Sequence, residues 1–151
     1  MDMTRRQALA LSAGAVAFAV SGLHLRPAAA DAAAANKMIM EFAGGKTPQS
    51  GKIKLSTPEI AENGNVVPVA VSVESDMTPS SYVQSVMLVA EGNPNPSVVT
   101  FNFTPMSGEA RATTRMRLAK TQNVIAVAKM SDGSVYMDKK EVKVTIGGCG
   151  G

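Results

Sequence analysis

The residues that carry most protein chemistry are scarce in this chain. Tryptophan is absent, histidine occurs once, at His24, and cysteine once, at Cys149. Without a second cysteine there is no internal disulfide and no CxxC redox centre.

Even the one histidine is not expected in the working protein. The chain opens "MTRRQALALSAGAVAFAV", with Arg5 and Arg6 ahead of an alanine-rich, moderately apolar run from Ala8 to Val20. "RPAAAD" follows, where Ala28 and Ala30 form a small-x-small cleavage pattern. Residues 1–30 therefore read as a secretory signal, cut between Ala30 and Asp31. "TRRQAL" resembles a twin-arginine export signal without its usual Phe. The apolar run is shorter than the about 20 residues that span a bilayer, so no membrane association is expected. The expected location is the periplasm. Cleavage leaves no histidine, which excludes Ser-His and Cys-His nucleophile pairs in cis and His-ligated zinc, copper or haem. No metal or cofactor is expected.

Charge gives little more. Losing Arg5, Arg6, Arg26 and Asp2 leaves twelve basic and eleven acidic residues, a net +1. No basic stripe remains to hold nucleic acid, and none is expected as a partner. The 121 residues from Asp31 onward suffice for one domain.

Within that domain only "DAAAANKMIMEF" reads as helix, over Ala32 to Phe42, with Met38 and Phe42 on one face. Everything after it alternates with period two. "NVVPVAVSVE" puts Val67, Val69, Val71 and Val73 together, and Pro68 suggests an edge or a bulge. "SYVQSVMLVAE" sets Val83, Met87 and Val89 against Val86 and Leu88. "GKIKL", "SVVTFNFT", "EARATTRMRLAK", "TQNVIAVAKM" and "KKEVKVTI" complete about seven strands, bounded by turn chemistry such as "ENGN", "EGNPNPS" and "MSDGS". "DGS" at Asp132 to Ser134 reads as a tight hairpin turn. No helix separates the strands, which excludes βαβ units. The expected fold is all-β, an immunoglobulin-like antiparallel β-sandwich with a short N-terminal helix. About seven short strands leave edges or one face to cover, and apolar residues occupy both faces of "VQSVMLV", so a second protein is expected to cover them.

Several features have plain explanations. Eight methionines follow the signal, scattered over separate strands, which suits core or interface packing better than copper binding. Arg111, Arg115, Arg117 and Lys120 read as a solvated strand face rather than an oxyanion site. "EGNPNPS" reads as a hairpin connection.

The terminal "GGCGG" has no such explanation. Structural cysteines are usually buried, whereas Gly147, Gly148, Gly150 and Gly151 offer nothing to bury Cys149 against. The pentapeptide is expected to pack against nothing and to act as a thin, flexible arm. Three residues past Ile146 an extended backbone reaches about 10 Å, enough to take a thiol into another protein's channel. An unassisted thiol is mostly protonated at neutral pH, so its activation falls to that other protein.

Leader, all-β body and terminal "GGCGG" together resemble the SoxY family, the sulfur-carrier subunits of the bacterial thiosulfate-oxidising (Sox) system. "TPEIAENGNVVPV", "GNPNP", "RLAKTQ" and "VTIGGCGG" extend the likeness over nearly all of the mature chain. The resemblance implies a carrier domain over 31–146 and a swinging arm over 147–151. It implies that Cys149 is the covalent attachment point and that the chain is no enzyme by itself. It also implies a heterodimer with a SoxZ-like β-sandwich. The implied clients are a c-type haem enzyme that loads thiosulfate, a manganese hydrolase that releases sulfate, and a sulfane dehydrogenase. Two other readings stay open. A ubiquitin-like carrier also ends in Gly-Gly but bears sulfur on the terminal carboxylate. A plain exported sandwich used for binding or assembly would make the tail dispensable.

Overall fold

In the computed structural model, which describes residues 27–148, the alternating valines of the sequence become the inner faces of two stacked sheets. The order is α1 (Pro27–Phe42), β1 (Ile53–Ser56), β2 (Ile60–Asn63), β3 (Val67–Val73), β4 (Val83–Ala90) and β5 (Ser97–Asn102). A single 3-10 turn (Pro105–Ser107), β6 (Ala110–Met116), β7 (Gln122–Met130) and β8 (Val135–Ile146) follow. One sheet runs β1-β3-β6 and the other β2-β8-β7-β4-β5. From β3, Val67, Val69, Val71 and Val73 are buried between them. They meet Val86 and Leu88 of β4 and Val124, Ala126 and Ala128 of β7 in one cluster. Each fully buried valine or leucine contributes about 1.5–3 kcal/mol. The expected all-β sandwich is therefore what forms.

Four details differ from the expectations. The described residues form eight strands, because "IAEN" forms β2, and β2 pairs with β8 in parallel, Ile60 opposite Lys143 and Asn63 opposite Ile146. The pair is short and at the sheet edge, where four residues with one buried side chain leave too little periodicity to read. Second, the register slips between Val83 and Ser85, so Val83 joins Val86 and Leu88 in the core rather than Met87 and Val89. An extra residue in one strand turns every later side chain to the other face. Third, Pro68 lies in the central strand of its sheet, not an edge strand. It sits two residues past the last β1 pairing, Ser56 with Ala70, where that flank of the ladder has ended.

The fourth difference bears on partners. Met87 and Val89 are not left for a second protein. Helix α1 and the residue after it cover them, burying Ala35, Ile39 and Ala43 against Met87, Val89, Ile125 and Val127, with Phe42 partly buried alongside. Ile39 takes the place expected of Met38. The helix starts at Pro27, so Ala28 and Ala30 stand in its first turn. Arg5, Arg6 and His24 lie outside the described residues.

The "DGS" turn closes the β7–β8 hairpin as expected. Gly133 adopts a φ of 78°, and Asp132 Oδ1 accepts from the Ser134 hydroxyl (2.6 Å) and backbone N–H (2.8 Å). Those two bonds, the hydroxyl's first, hold the Asp132 carboxyl below its ordinary value.

Candidate functional site

Strand β8 outlasts its neighbour. Its pairing with β7 ends at Val142 opposite Gln122, and beyond that point Thr121 and Leu118 bond to the chain instead. The Thr121 hydroxyl accepts from Val144 N–H at 2.9 Å. The chain then leaves the sheet through a ring of three backbone hydrogen bonds. Gly64 N–H donates to the Ile146 carbonyl (2.7 Å), Leu118 N–H to the Gly64 carbonyl (2.8 Å), and Gly148 N–H to the Leu118 carbonyl (2.9 Å).

These three segments meet too closely for side chains. A Cβ on Gly64 would overlap the Leu118 carbonyl oxygen and lie 2.7 Å from the Gly148 nitrogen. A Cβ on Gly147 would overlap the Ala119 carbonyl oxygen, and one on Gly148 would come within 2.7 Å of the Gly64 carbonyl oxygen. Glycine is required here for close approach of backbone to backbone. Gly64 and Gly148 are buried, while Val66 and Ile146 stand exposed beside them.

A buried polar pair supports the ring from behind. Asn93, in the β4–β5 loop, is 2% exposed. Its Nδ2 donates to the Arg117 carbonyl (2.8 Å), while its Oδ1 accepts from Ala119 N–H (3.0 Å) and Gln122 Nε2 (2.8 Å). Gln122 Oε1 in turn accepts from Gly92 N–H at 2.8 Å. Arg117 through Ala119 are thus fixed on both sides, by Asn93 and by Gly64.

The predicted arm residues fall into two groups. Gly147 and Gly148 are docked on the body, so the expectation that the whole pentapeptide packs against nothing does not hold for its first two residues. Cys149, Gly150 and Gly151 lie outside the described residues. Of the other candidates, Arg117 and Lys120 adjoin this site through their carbonyls, which accept from Asn93 Nδ2 and Gln122 Nε2, whereas the rest lie apart from it. Arg111 and Arg115 are exposed on the outer face of β6, and Arg111 sits 3.8 Å from Glu109 in an exposed ion pair worth little. Met77, Met87, Met116 and Met130 are buried in the two clusters, as packing requires. Among the described residues no group of three His, Cys, Asp or Glu side chains is placed to hold a metal.

Sequence reasoning missed Gly64, Asn93 and Gln122 as parts of this site. One signal was present. Gly64 lies in "TPEIAENGNVVPV", Asn93 in "GNPNP", Leu118 and Gln122 in "RLAKTQ", and Gly148 in "VTIGGCGG". Four segments distant in sequence, each bearing the family resemblance, converge on the root of the arm.

The likeness to known proteins follows the same outline. The profile described as sulfur oxidation protein SoxY matches residues 39–149. The structure of the sulfur carrier protein SoxY from Chlorobium limicola f thiosulfatophilum is 33% identical, with a TM-score of 0.60, over 76% of this chain and 99% of that one. Superoxide reductase (neelaredoxin) from Ignicoccus hospitalis is 24% identical with a TM-score of 0.56, over 63% of this chain and 81% of that one. Superoxide reductase from Nanoarchaeum equitans is 15% identical with a TM-score of 0.53, over 63% and 99%. These reductases share the fold alone. No curated protein sequence matches. With the family profile reaching Cys149 itself, and a sulfur carrier matched along nearly its whole length, the chain belongs to the SoxY family of sulfur-oxidation proteins.

Proposed function

We propose that the protein carries sulfur-oxidation intermediates covalently on Cys149 and presents them to other enzymes in the periplasm. The observation that carries this reading is the ring at Gly64, Leu118 and Gly148, which anchors the backbone at the residue before the only cysteine. A body that fixes its own chain up to the thiol is built to present that thiol. The helix lies outside the sheet rather than at its centre, which disfavours a ubiquitin-like carrier loaded on the carboxylate of Gly151. The docked glycines disfavour a dispensable tail.

Loading joins the Cys149 sulfur to the outer sulfur of thiosulfate, giving Cys–S–S–SO3⁻ with loss of the thiol proton and two electrons. The c-type haem enzyme takes the electrons. Hydrolysis at the terminal sulfur then releases sulfate and leaves a persulfide, the step assigned to the manganese hydrolase. A sulfane dehydrogenase would oxidise what remains. The carrier supplies no base of its own in this scheme, since its sole histidine leaves with the expected signal. A SoxZ-like sandwich would form a heterodimer with it. Helix α1 occupies the outer face of β4, and the edge strands β1, β6, β2 and β5 are open to such a partner.

Tetrathionate tests the loading step without any enzyme. A thiolate attacking it forms the same Cys–S–S–SO3⁻ group and releases thiosulfate, so electrons balance without a further oxidant. The C-terminal peptide should gain about 112 Da, and Cys149→Ser should gain nothing. Loading at any other residue, or none, would end this reading.

A further inference from the structure

The three-bond ring implies a specific role for a residue far from the cysteine in sequence. We propose that Gly64 is a positioning residue for the carrier reactions: by admitting Leu118 and Gly148 on either side, it holds the anchored backbone to within one residue of the sulfur. This rests on the carrier reading of Cys149.

Gly64 bonds both other segments, donating to Ile146 and accepting from Leu118. Its neighbours leave no room for a Cβ, and both obstructing atoms, the Leu118 oxygen and the Gly148 nitrogen, are backbone atoms that cannot rotate away. Any side chain at position 64 must therefore push the ring apart. The next anchor back is then Ile146, where β8 still faces Asn63. The free chain between anchor and sulfur-bearing residue grows from one residue to three. The volume searched by a tethered group grows as the 3/2 power of tether length, so the local concentration of thiol at a docked client falls about fivefold. Asn93 serves the same end indirectly. It does not touch the arm, but it fixes Arg117 and Ala119 on each side of the carbonyl that Gly148 binds.

A structural role alone would affect stability. Positioning predicts a particular split in the kinetics. In the wild type, the amides of Gly148 and Leu118 should be protected from hydrogen exchange. In Gly64→Ala both should lose protection while Val127, in the core, keeps it. Tetrathionate, a small reagent, should load Cys149 at the wild-type rate within about twofold, because it needs no alignment with a channel. Single-turnover loading by the haem enzyme at saturating carrier should fall about fivefold, with the half-saturating concentration unchanged. Asn93→Ala should reproduce this pattern and decides the matter if Gly64→Ala does not fold. An unchanged or faster enzymatic loading in a variant whose Gly148 amide is exposed overturns the inference. So does a wild-type Gly148 amide that exchanges like an open one. A wild-type Cys149 that takes sulfur from neither source sinks the carrier reading, and this inference with it.

Discussion

Between the two sheets, side chain meets side chain: Val67, Val69 and Val71 from one layer against Leu88, Val124 and Ala126 from the other. At the root of the arm, backbone meets backbone: Gly64, Leu118 and Gly148 are joined by main-chain bonds at distances that leave no room for a Cβ on either glycine. The two regions respond differently to change. A side-chain core loses stability in proportion to the volume removed and tolerates swaps of similar size. A backbone clasp has no such gradation, because alanine and phenylalanine carry the same obstructing first carbon. The first kind of packing suits a scaffold. The second suits a point where the chain's exit must be fixed while the side-chain profile stays thin.

That contrast can be broken most completely at Cys149, which lies outside the described residues. Cys149→Ser should abolish sulfur loading outright and leave the folded body unchanged, with mass spectrometry reading the first effect and thermal unfolding the second. A loss of fold in this variant would mean that the thiol has a structural role the account denies it.

A core change should do the reverse. Leu88→Ala removes a side chain that is 1% exposed between the sheets and should cost about 2–5 kcal/mol in urea unfolding. Per folded molecule, loading by tetrathionate should not change. A smaller step is Asn93→Ala, which leaves the Arg117 carbonyl, Ala119 N–H and one Gln122 amide hydrogen without their partner. That should cost about 1–3 kcal/mol, and unlike Leu88→Ala it should also expose the Gly148 amide. Equal protection of Gly148 in the two variants would erase the distinction drawn between scaffold and clasp.

The smallest effect lies at the far end of the β7–β8 hairpin. Ser134 holds the Asp132 carboxyl below its ordinary value in the folded protein. Its stabilising effect is therefore full above the ordinary carboxylate range and is lost as pH falls through the lowered folded value. Asp132→Asn should flatten only that acid limb in melting curves, and only slightly, since the group is exposed. It should not touch sulfur loading at all.

How much of this was legible in the sequence follows from the same contrast. The sandwich was readable because side chains packed on a pleated strand leave a period of two, as in "VPVAVSV". The bulge between Val83 and Ser85 and the four-residue β2 were not, since one extra residue or one buried alanine leaves no repeat. The helix was visible, but its role as the cover for Met87 and Val89 was not, because Ala35, Ile39 and Ala43 look unremarkable in an alanine-rich run. The thiol was conspicuous by its isolation. The clasp left no periodicity, and Gly64 looked like an ordinary turn glycine in "ENGN". Glycines that exist for close approach become distinguishable from turn glycines only when the opposing backbone is in place.

The claim that matters most is that sulfur travels on Cys149. It is tested most directly by the intact mass of this protein taken, unreduced, from cells oxidising thiosulfate. The account predicts a set of adducts confined to the C-terminal peptide, including one of about 112 Da for the thiosulfonate and steps of about 32 Da for added sulfur. All of them should vanish in Cys149→Ser. A carrier recovered from such cells with a bare thiol, or with sulfur on any other residue, would contradict it.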